Sequence, residues 1–331
     1  MNQDPSAPGV GVVVIGRNEG ERLERCLRSL LDSADRLVYV DSGSRDGSVA
    51  RARAFGVEVV ELDMSRPFTA ARARNSGFER LLQLHPDMKH VFFVDGDCEV
   101  AHGWLDEASR FLESRPDVAA VWGRRRERHP DLSVYNLLCD IEWNSAPLGE
   151  TSACGGDAVM RVAPIKEAHG YREDLICGEE PELCARLRKA GWRIWHLDGD
   201  MTLHDAAMYR FGQWWRRTVR VGYGYAMFMR LESVREDRQW VYRSRRAWIW
   251  GCWTPLAIIA LTLAFGRTAL VLAAVYPGQV LRLALQGKKS ARENWSRAAA
   301  MVLGKFAEMQ GQLKFLLERG RSARASIIEY K

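Results

Sequence analysis

Two acids separated by a glycine, Asp95-Gly96-Asp97, follow directly on the apolar run Val91-Phe92-Phe93-Val94. A run of that length, rich in Val and Phe, reads as a buried strand. Carboxylates at the carboxyl end of a buried strand are costly unless water, a cation or a partner satisfies them. Ligands of open α/β sheets bind just outside such strand ends. A hard divalent cation carried in on a diphosphate wants two such oxygens and little else from the protein. The same residues also read as a solvated turn with Gly96 at its tip. The surrounding elements bear on the choice.

Those elements alternate. Val10 to Ile15 is a short apolar strand followed by the polar loop Gly16-Arg17-Asn18-Glu19-Gly20, and Glu21 to Ser33 carries a helical stripe of Leu23, Leu27, Leu30 and Leu31. Arg36 to Val40 is a second strand, ending in Asp41-Ser42-Gly43-Ser44-Arg45-Asp46-Gly47. A helix over Ser48 to Phe55, a strand over Val57 to Leu62 and a helix over Thr69 to Leu84 lead back to Asp95. Such alternation means a parallel sheet with right-handed crossovers. The loops at Arg17, Asp41 and Asp95 all follow strands, so topology places them on one rim and favours a ligand site over a turn. Beyond it, Ala101 to Ser114 reads as a helix and Val118 to Trp122 as a strand. Gly123 to Glu150 is long and poorly periodic, opening on Arg124-Arg125-Arg126. Cys154 to Met160 is a glycine-led strand. Gly178-Glu179-Glu180-Pro181-Glu182 opens a helix, where acids suit the dipole and Pro suits the first turn. Arg193 to Leu197 is a last strand, followed by Asp198, Asp200, His204 and Asp205.

Composition sets the limits. The 331 residues, 47% apolar and 27% charged, are those of a globular protein and exclude wholesale disorder. The net charge of +6 gathers around apolar segments late in the chain, which points to anionic lipid or nucleotide and away from nucleic acid. The seven cysteines show no Cys-x-x-Cys pair and no zinc spacing, so they read as reduced thiols of a cytosolic compartment. Met1 to Gly9 is polar, without a signal-peptide pattern.

From Val10 to about Gly224 the motifs resemble family 2 glycosyltransferases of the GT-A fold, in particular membrane-associated bacterial envelope-glycan enzymes. Val12 to Glu19 is similar to the family's opening strand and base-binding loop. Val40 to Ser48 is similar to its second nucleotide loop, although many members carry two adjacent acids where this chain has Asp41-Ser42. Arg74-Asn75-Ser76-Gly77 resembles the helix start facing the nucleotide-sugar. Asp95-Gly96-Asp97 matches the metal-binding acid pair. Gly178 to Leu183, with Arg186, resembles the segment holding the catalytic base, where members often have Asp at the place of Glu180.

The resemblance implies an α/β fold, the GT-A nucleotide-diphospho-sugar transferase fold, with a mostly parallel central sheet and flanking helices. It implies inverting transfer, with Glu180 as the base. Arg17, Asn18, Glu19, Asp41, Ser42, Arg74, Asn75 and Asp95 would bind the donor, a UDP-sugar being expected. Asp95, Asp97 and His204 would hold Mg²⁺ or Mn²⁺ as a Lewis acid on the diphosphate. Arg17, Arg72 and Arg74 are candidates to clamp phosphate. A glycoside hydrolase also uses two carboxylates, but Asp95 and Asp97 are too close in sequence to flank a sugar.

The tail changes character. Gln213-Trp214-Trp215-Arg216-Arg217 resembles the Gln-x-x-Arg-Trp signature of processive synthases, with Arg217 where Trp is expected. Its helix, Tyr209 to Arg230, is placed on the membrane surface, over the acceptor with Tyr223-Gly224-Tyr225 as a bend, or against the sheet domain. Apolar segments at about 248–265 and 269–285 form a helical hairpin flanked by Arg243, Arg245 and Arg246 before and Lys288, Lys289 and Arg292 after. That suits a membrane hairpin with both ends cytoplasmic, two helices lying in the interface, or a soluble core hairpin. An amphipathic helix covers about 294–319. The expected organisation is a flexible 1–9, a catalytic domain 10–235 facing the cytoplasm, and a membrane-associated 236–331. The acceptor is then a glycolipid or polyprenyl-linked sugar at the cytoplasmic membrane. Two spans at most cannot build a polymer channel, so transfer is non-processive. The alternatives are a sugar nucleotidyltransferase, which would want a better phosphate loop after the first strand, and a membrane adaptor that keeps the fold without the chemistry.

Overall fold

The computed structural model describes residues 10–234 and 237–319. The expected flexible segment 1–9, the expected boundary at 235–236 and residues 320–331 lie outside them. The chain divides into two compact units, residues 10–128 with Trp143–Ala206, and His129–Glu142 with residues 207–319.

The first unit is a nine-stranded sheet flanked by helices. In chain order its elements are β1 (Gly11–Gly16), α1 (Glu21–Leu31), β2 (Leu37–Asp41), α2 (Ser48–Ala54), β3 (Glu58–Glu61), α3 (Ala70–Leu84), β4 (His90–Asp95), β5 (Cys98–Val100), α4 (Trp104–Ser114) and β6 (Val118–Glu127). After α5 (Val134–Trp143) come β7 (Gly149–Thr151), β8 (Ala158–Arg161), α6 (Val162–Glu167), α7 (Glu179–Lys189) and β9 (Arg193–His204). Strands β3, β2, β1 and β4 pair in parallel, and β8 then joins β4 antiparallel. The mostly parallel sheet expected from the alternation is therefore its N-terminal half. The second half is mixed, with β6 and β9 parallel and β5 and β7 both antiparallel to β9. Val12, Val13, Val14, Val38, Val40 and Val91–Val94 are fully buried, as strands covered on both faces require.

Three departures bear on function. A short strand, β5, begins one residue after Asp97, where a helix from Ala101 was expected soon after the acids. The strand expected to end at Trp122 runs on to Glu127, carrying the Arg-rich stretch inside the sheet. The last strand, expected to end at Leu197, runs to His204. These long strands support each other: β6 and β9 pair over almost their whole length with shifts in register, and that pairing is a tertiary event that local periodicity does not show.

The second unit is helical: α5, then α8 (Phe211–Phe228), α9 (Arg238–Trp248), α10 (Thr254–Phe265), α11 (Val275–Leu285) and α12 (Ala291–Arg319). Helix α8 therefore belongs with the C-terminal helices, where 207–235 was expected in the catalytic domain. It runs unbroken through Tyr223-Gly224-Tyr225, where a bend was expected. Its partner within the unit is α12. A Cβ at Gly222 would meet the Glu308 backbone at 2.0 Å, and one at Gly311 would meet the Val219 carbonyl at 2.0 Å, so glycine lets the two backbones touch. A π-helical turn, Ile249–Trp253, joins α9 to α10, and a 3₁₀ segment, Arg267–Ala274, leads into α11. Arg238–Phe265 and Arg267–Leu285 are each long and apolar enough to cross a membrane. Helix α10 buries no residue, and Leu263 is 83% exposed and Phe265 73%. Continuous apolar exposure on that scale marks a surface that meets lipid or protein.

Candidate active site

The rim at the carboxyl ends of β1, β2 and β4 is stitched by backbone bonds. Ser42 N–H donates to the Gly16 carbonyl at 3.0 Å, and Gly96 N–H to the Ile15 carbonyl at 2.8 Å. The three loops thus converge as the topology required. Asn18, with φ of 56°, accepts from Arg45 N–H through Oδ1 at 2.8 Å and gives its own N–H to Ser44 Oγ at 2.8 Å. Asp41 is buried and fully engaged: Tyr39 Oη donates to Oδ1 at 2.9 Å, and Gly43 and Ser44 N–H donate to Oδ2 at 2.9 and 2.8 Å. Its carboxylate shapes the loop. Glu19 pairs with Arg22 at 2.9 Å, and the Arg17 guanidinium lies 4.5 Å from the centre of the Phe68 ring.

Around Asp95 the bonding is ionic. Arg74, 2% exposed, reaches Asp95 Oδ1 at 3.1 Å, Glu179 Oε1 at 2.7 Å and Glu180 Oε1 at 3.2 Å. It is a buried tie among three carboxylates. Arg125 Nη2 lies 2.6 Å from the fully buried Asp157 and 3.5 Å from Asp95 Oδ2, while Asp157 Oδ1 accepts the Asp95 N–H at 3.1 Å and Oδ2 accepts from Thr202 Oγ1 at 2.9 Å. Gly156 stands at the centre. A Cβ there would lie 2.7 Å from Arg74 Nη2, 3.2 Å from Glu180 Oε1 and 3.3 Å from Asp95 Oδ2.

The two glutamates at the start of α7 differ. Glu179 is 5% exposed and bonded to Arg74, whereas Glu180 is 16% exposed, with its carboxylate at the edge of the site. Burial, and then the neighbouring Glu179, push the Glu180 pKa up to about 7 against the pull of Arg74. A carboxyl group poised there can take a proton near neutral pH.

His204 reaches Asp97 through strand register, because β5 and β9 run antiparallel and set Cys98 opposite His204. His204 Nε2 is 3.3 Å from Asp97 Oδ1, and both residues are buried. Nδ1 faces Glu127 Oε2 at 3.9 Å, and that oxygen is held by Ala206 N–H at 3.0 Å. Burial opposes charge on the imidazole, but Asp97 and Glu127 outweigh it and hold its pKa above the ordinary value. The pair fits a divalent cation: two ligand atoms about 2.1 Å from a metal and at right angles lie about 3 Å apart. Cys98 Sγ completes a cluster of three possible ligand atoms within 4.8 Å. Burial and then Asp157 hold its thiol well above the usual range, and a soft sulfur is a poor ligand for a hard cation. The site also carries more carboxylates than Arg74 and Arg125 can balance.

Other expected residues point elsewhere. The Asn75 side chain brackets the Tyr171 backbone, donating to its carbonyl at 2.8 Å and accepting its N–H at 2.9 Å. Arg72, a candidate phosphate clamp, spends its guanidinium on the carbonyls of Asp63, Arg66 and Pro67. Asp157, Arg125, Glu127 and Gly156 were not singled out. A period of two through β6 was the available signal, since it sets Arg125 and Glu127 on one face and Arg124, paired with Asp198 and Asp200, on the other.

The sequence profile of Glycosyl transferase family 2 matches residues 11–168. Residues 11–168 make up a family 2 glycosyltransferase domain. The transferase is 23% identical over 239 residues to glycosyltransferase AglE of Haloferax volcanii, spanning 69% of this chain and 76% of that protein. It is 26% identical over 207 residues to the succinoglycan biosynthesis protein ExoA of Rhizobium meliloti, spanning 56% of this chain and 60% of that protein. Its fold is that of the mannosyltransferase PcManGT of Pyrobaculum calidifontis, solved with GDP-Man and Mn²⁺, at a TM-score of 0.64 and 17% identity over 96% of this chain and 90% of that one. The matched domain is thus that of a glycosyltransferase, on a GT-A fold.

Proposed function

We propose that the protein is an inverting, metal-dependent, non-processive transferase that moves a sugar from a nucleoside-diphosphate sugar to a hydroxyl of a membrane-bound glycolipid, as a step in surface-polysaccharide or envelope-glycan assembly. The observation that carries this is the Asp97–His204 pair on the same rim as Glu180, with Arg74 linking Asp95 to Glu180. Glu180 accepts the proton of the acceptor hydroxyl as that oxygen bonds to the anomeric carbon. The bond from that carbon to the diphosphate breaks on the opposite face, which inverts the configuration. Asp97 and His204, with Asp95 close by, would hold a divalent cation whose charge neutralises the departing diphosphate. An imidazole in the donor set suits Mn²⁺ better than Mg²⁺, which prefers oxygen and keeps its waters. Arg74 holds Asp95 and Glu180 in fixed relation. The Asn18–Ser44 and Asp41–Gly43 bonds order the loops beneath the nucleoside.

The two apolar helices and their basic flanks support a lipid-linked acceptor at the cytoplasmic membrane, with the catalytic unit on the cytoplasmic side. Two spans favour single transfer. The test is calorimetric binding of UDP- and GDP-sugars with and without Mn²⁺, followed by incubation of membranes with the labelled donor. Metal-stimulated binding and label in the lipid fraction are expected. Metal-independent binding, or full transfer to a soluble acceptor without membrane, overturns the corresponding part.

A further inference from the structure

A pair of thiols lies one helical turn behind Glu180. Cys184 stands four residues further along α7, on the same helix face, and its Sγ is 3.5 Å from that of Cys154 in the loop between β7 and β8. The two are 30 residues apart in sequence, and both are buried, Cys154 at 6% exposure and Cys184 at 0%. Each sulfur is the hydrogen-bond partner of the other: the Cys154 S–H holds the Cys184 thiol below its ordinary range, and that same bond with burial pushes Cys154 up.

We propose that Cys154 and Cys184 are an oxidative modification site, at which a peroxide closes a disulfide that displaces the Gly155-Gly156 loop and switches off transfer. The effect on transfer rests on the assignment of Glu180 as base. The chemistry balances. The Cys184 sulfur, the more readily ionised of the two, attacks one peroxide oxygen, the O–O bond breaks, and sulfenic acid and water form. The Cys154 sulfur then displaces hydroxide from that sulfenic acid, and the thiol proton leaves with it as a second water. Two thiols are oxidised and one peroxide is reduced. A thiol reductant reverses the bridge by exchange.

The geometry decides which side moves. A disulfide holds its sulfurs about 2.05 Å apart, so the present separation must close by about 1.5 Å. Cys184 is fixed in a helix whose neighbours Leu183 and Leu187 are buried in the core. Cys154 is in a loop, and a Cβ on the adjoining Gly155 would meet nothing within 4 Å. The loop therefore gives. Gly156, two residues on, is wedged among Arg74, Glu180 and Asp95, with no room for even a methyl group. Movement there disturbs the fixed relation between the base and Asp95.

The experiment treats the full chain in membranes with hydrogen peroxide, alkylates free thiols, and maps the digest by mass. A peptide pair bridged through Cys154 and Cys184 is expected, with transfer falling at least 10-fold and returning on dithiothreitol. Cys154→Ser should keep basal transfer and resist peroxide, and Cys184→Ala provides a second variant should the first fold poorly. The proposal is overturned by the absence of the bridged peptides, by a bridged chain that transfers at the untreated rate, or by a Cys154→Ser chain that loses activity to peroxide as the wild type does. The bridge is read by mass alone. Failure of the Glu180 assignment shows separately, as unimpaired transfer by untreated Glu180→Gln.

Discussion

The two halves of the rim solve the same problem by different means. Under β1 and β2 the polar side chains are satisfied mainly by loop backbone: Asn18 and Asp41 bond to loop amides, and Asp41 leaves no oxygen unused. Around β4, β6, α7 and β9 the side chains are charged, buried or half-buried, and held by ion pairs that join separate elements. Arg74 meets Glu179 from 105 residues away, and Arg125 meets Asp157 from 32. The first arrangement makes a shaped surface that a planar base and a ribose can lie on. The second makes a concentrated field, with one carboxylate left near its titration point and another paired with an imidazole. On the proposed function, binding and chemistry fall to different strands of one sheet, and substitutions in the two halves should fail differently.

The sharpest separation comes from Glu180→Gln. It keeps size and removes the base, so transfer should fall by about 10²- to 10⁴-fold while donor binding stays within a factor of two or so. Retained transfer would shift the role to Glu179 and erase the contrast between the two acids. Asp97→Ala should weaken Mn²⁺-dependent donor binding by roughly 100-fold, read by calorimetry. Unchanged binding would place the metal elsewhere. Arg74→Met strands Asp95 and Glu179 without their buried cation, and a loss of about 3 kcal/mol or more is expected in denaturant unfolding of the chain. Outside both halves, Asn75→Ala removes two bonds to the Tyr171 backbone and should cost about 1–2 kcal/mol with little change in donor affinity.

The smallest effect is on pH. Glu180, at about 7, must be unprotonated to act, so kcat should fall as pH drops below neutrality. Glu179→Gln removes a like charge and should move that limb to lower pH. A limb that stays in place would mean that another group titrates.

Much of the site was legible because it is local. A Val-Phe run ending in Asp95-Gly96-Asp97 states both strand and rim, and three strand–loop–helix repeats place Asn18 and Asp41 beside it. His204 was also named, though as a loop residue beyond a strand that actually contains it. What was not legible depends on pairing between distant segments. The β6–β9 ladder extends both strands, half-buries Arg125 and buries Glu127, and brings His204 to Asp97 through the register with β5. The membership of α8 likewise follows from Gly222 and Gly311 meeting across two helices far apart in the chain.

The sequence by itself determined where the acids sit and that three strand-end loops surround them, because strand periodicity and loop position are short-range properties. Only the tertiary structure decided which acids are free to act. Glu179 and Glu180 are adjacent and chemically alike, and what separates them is that Arg74, arriving from α3, takes the first more tightly and leaves the second at the open edge of the site.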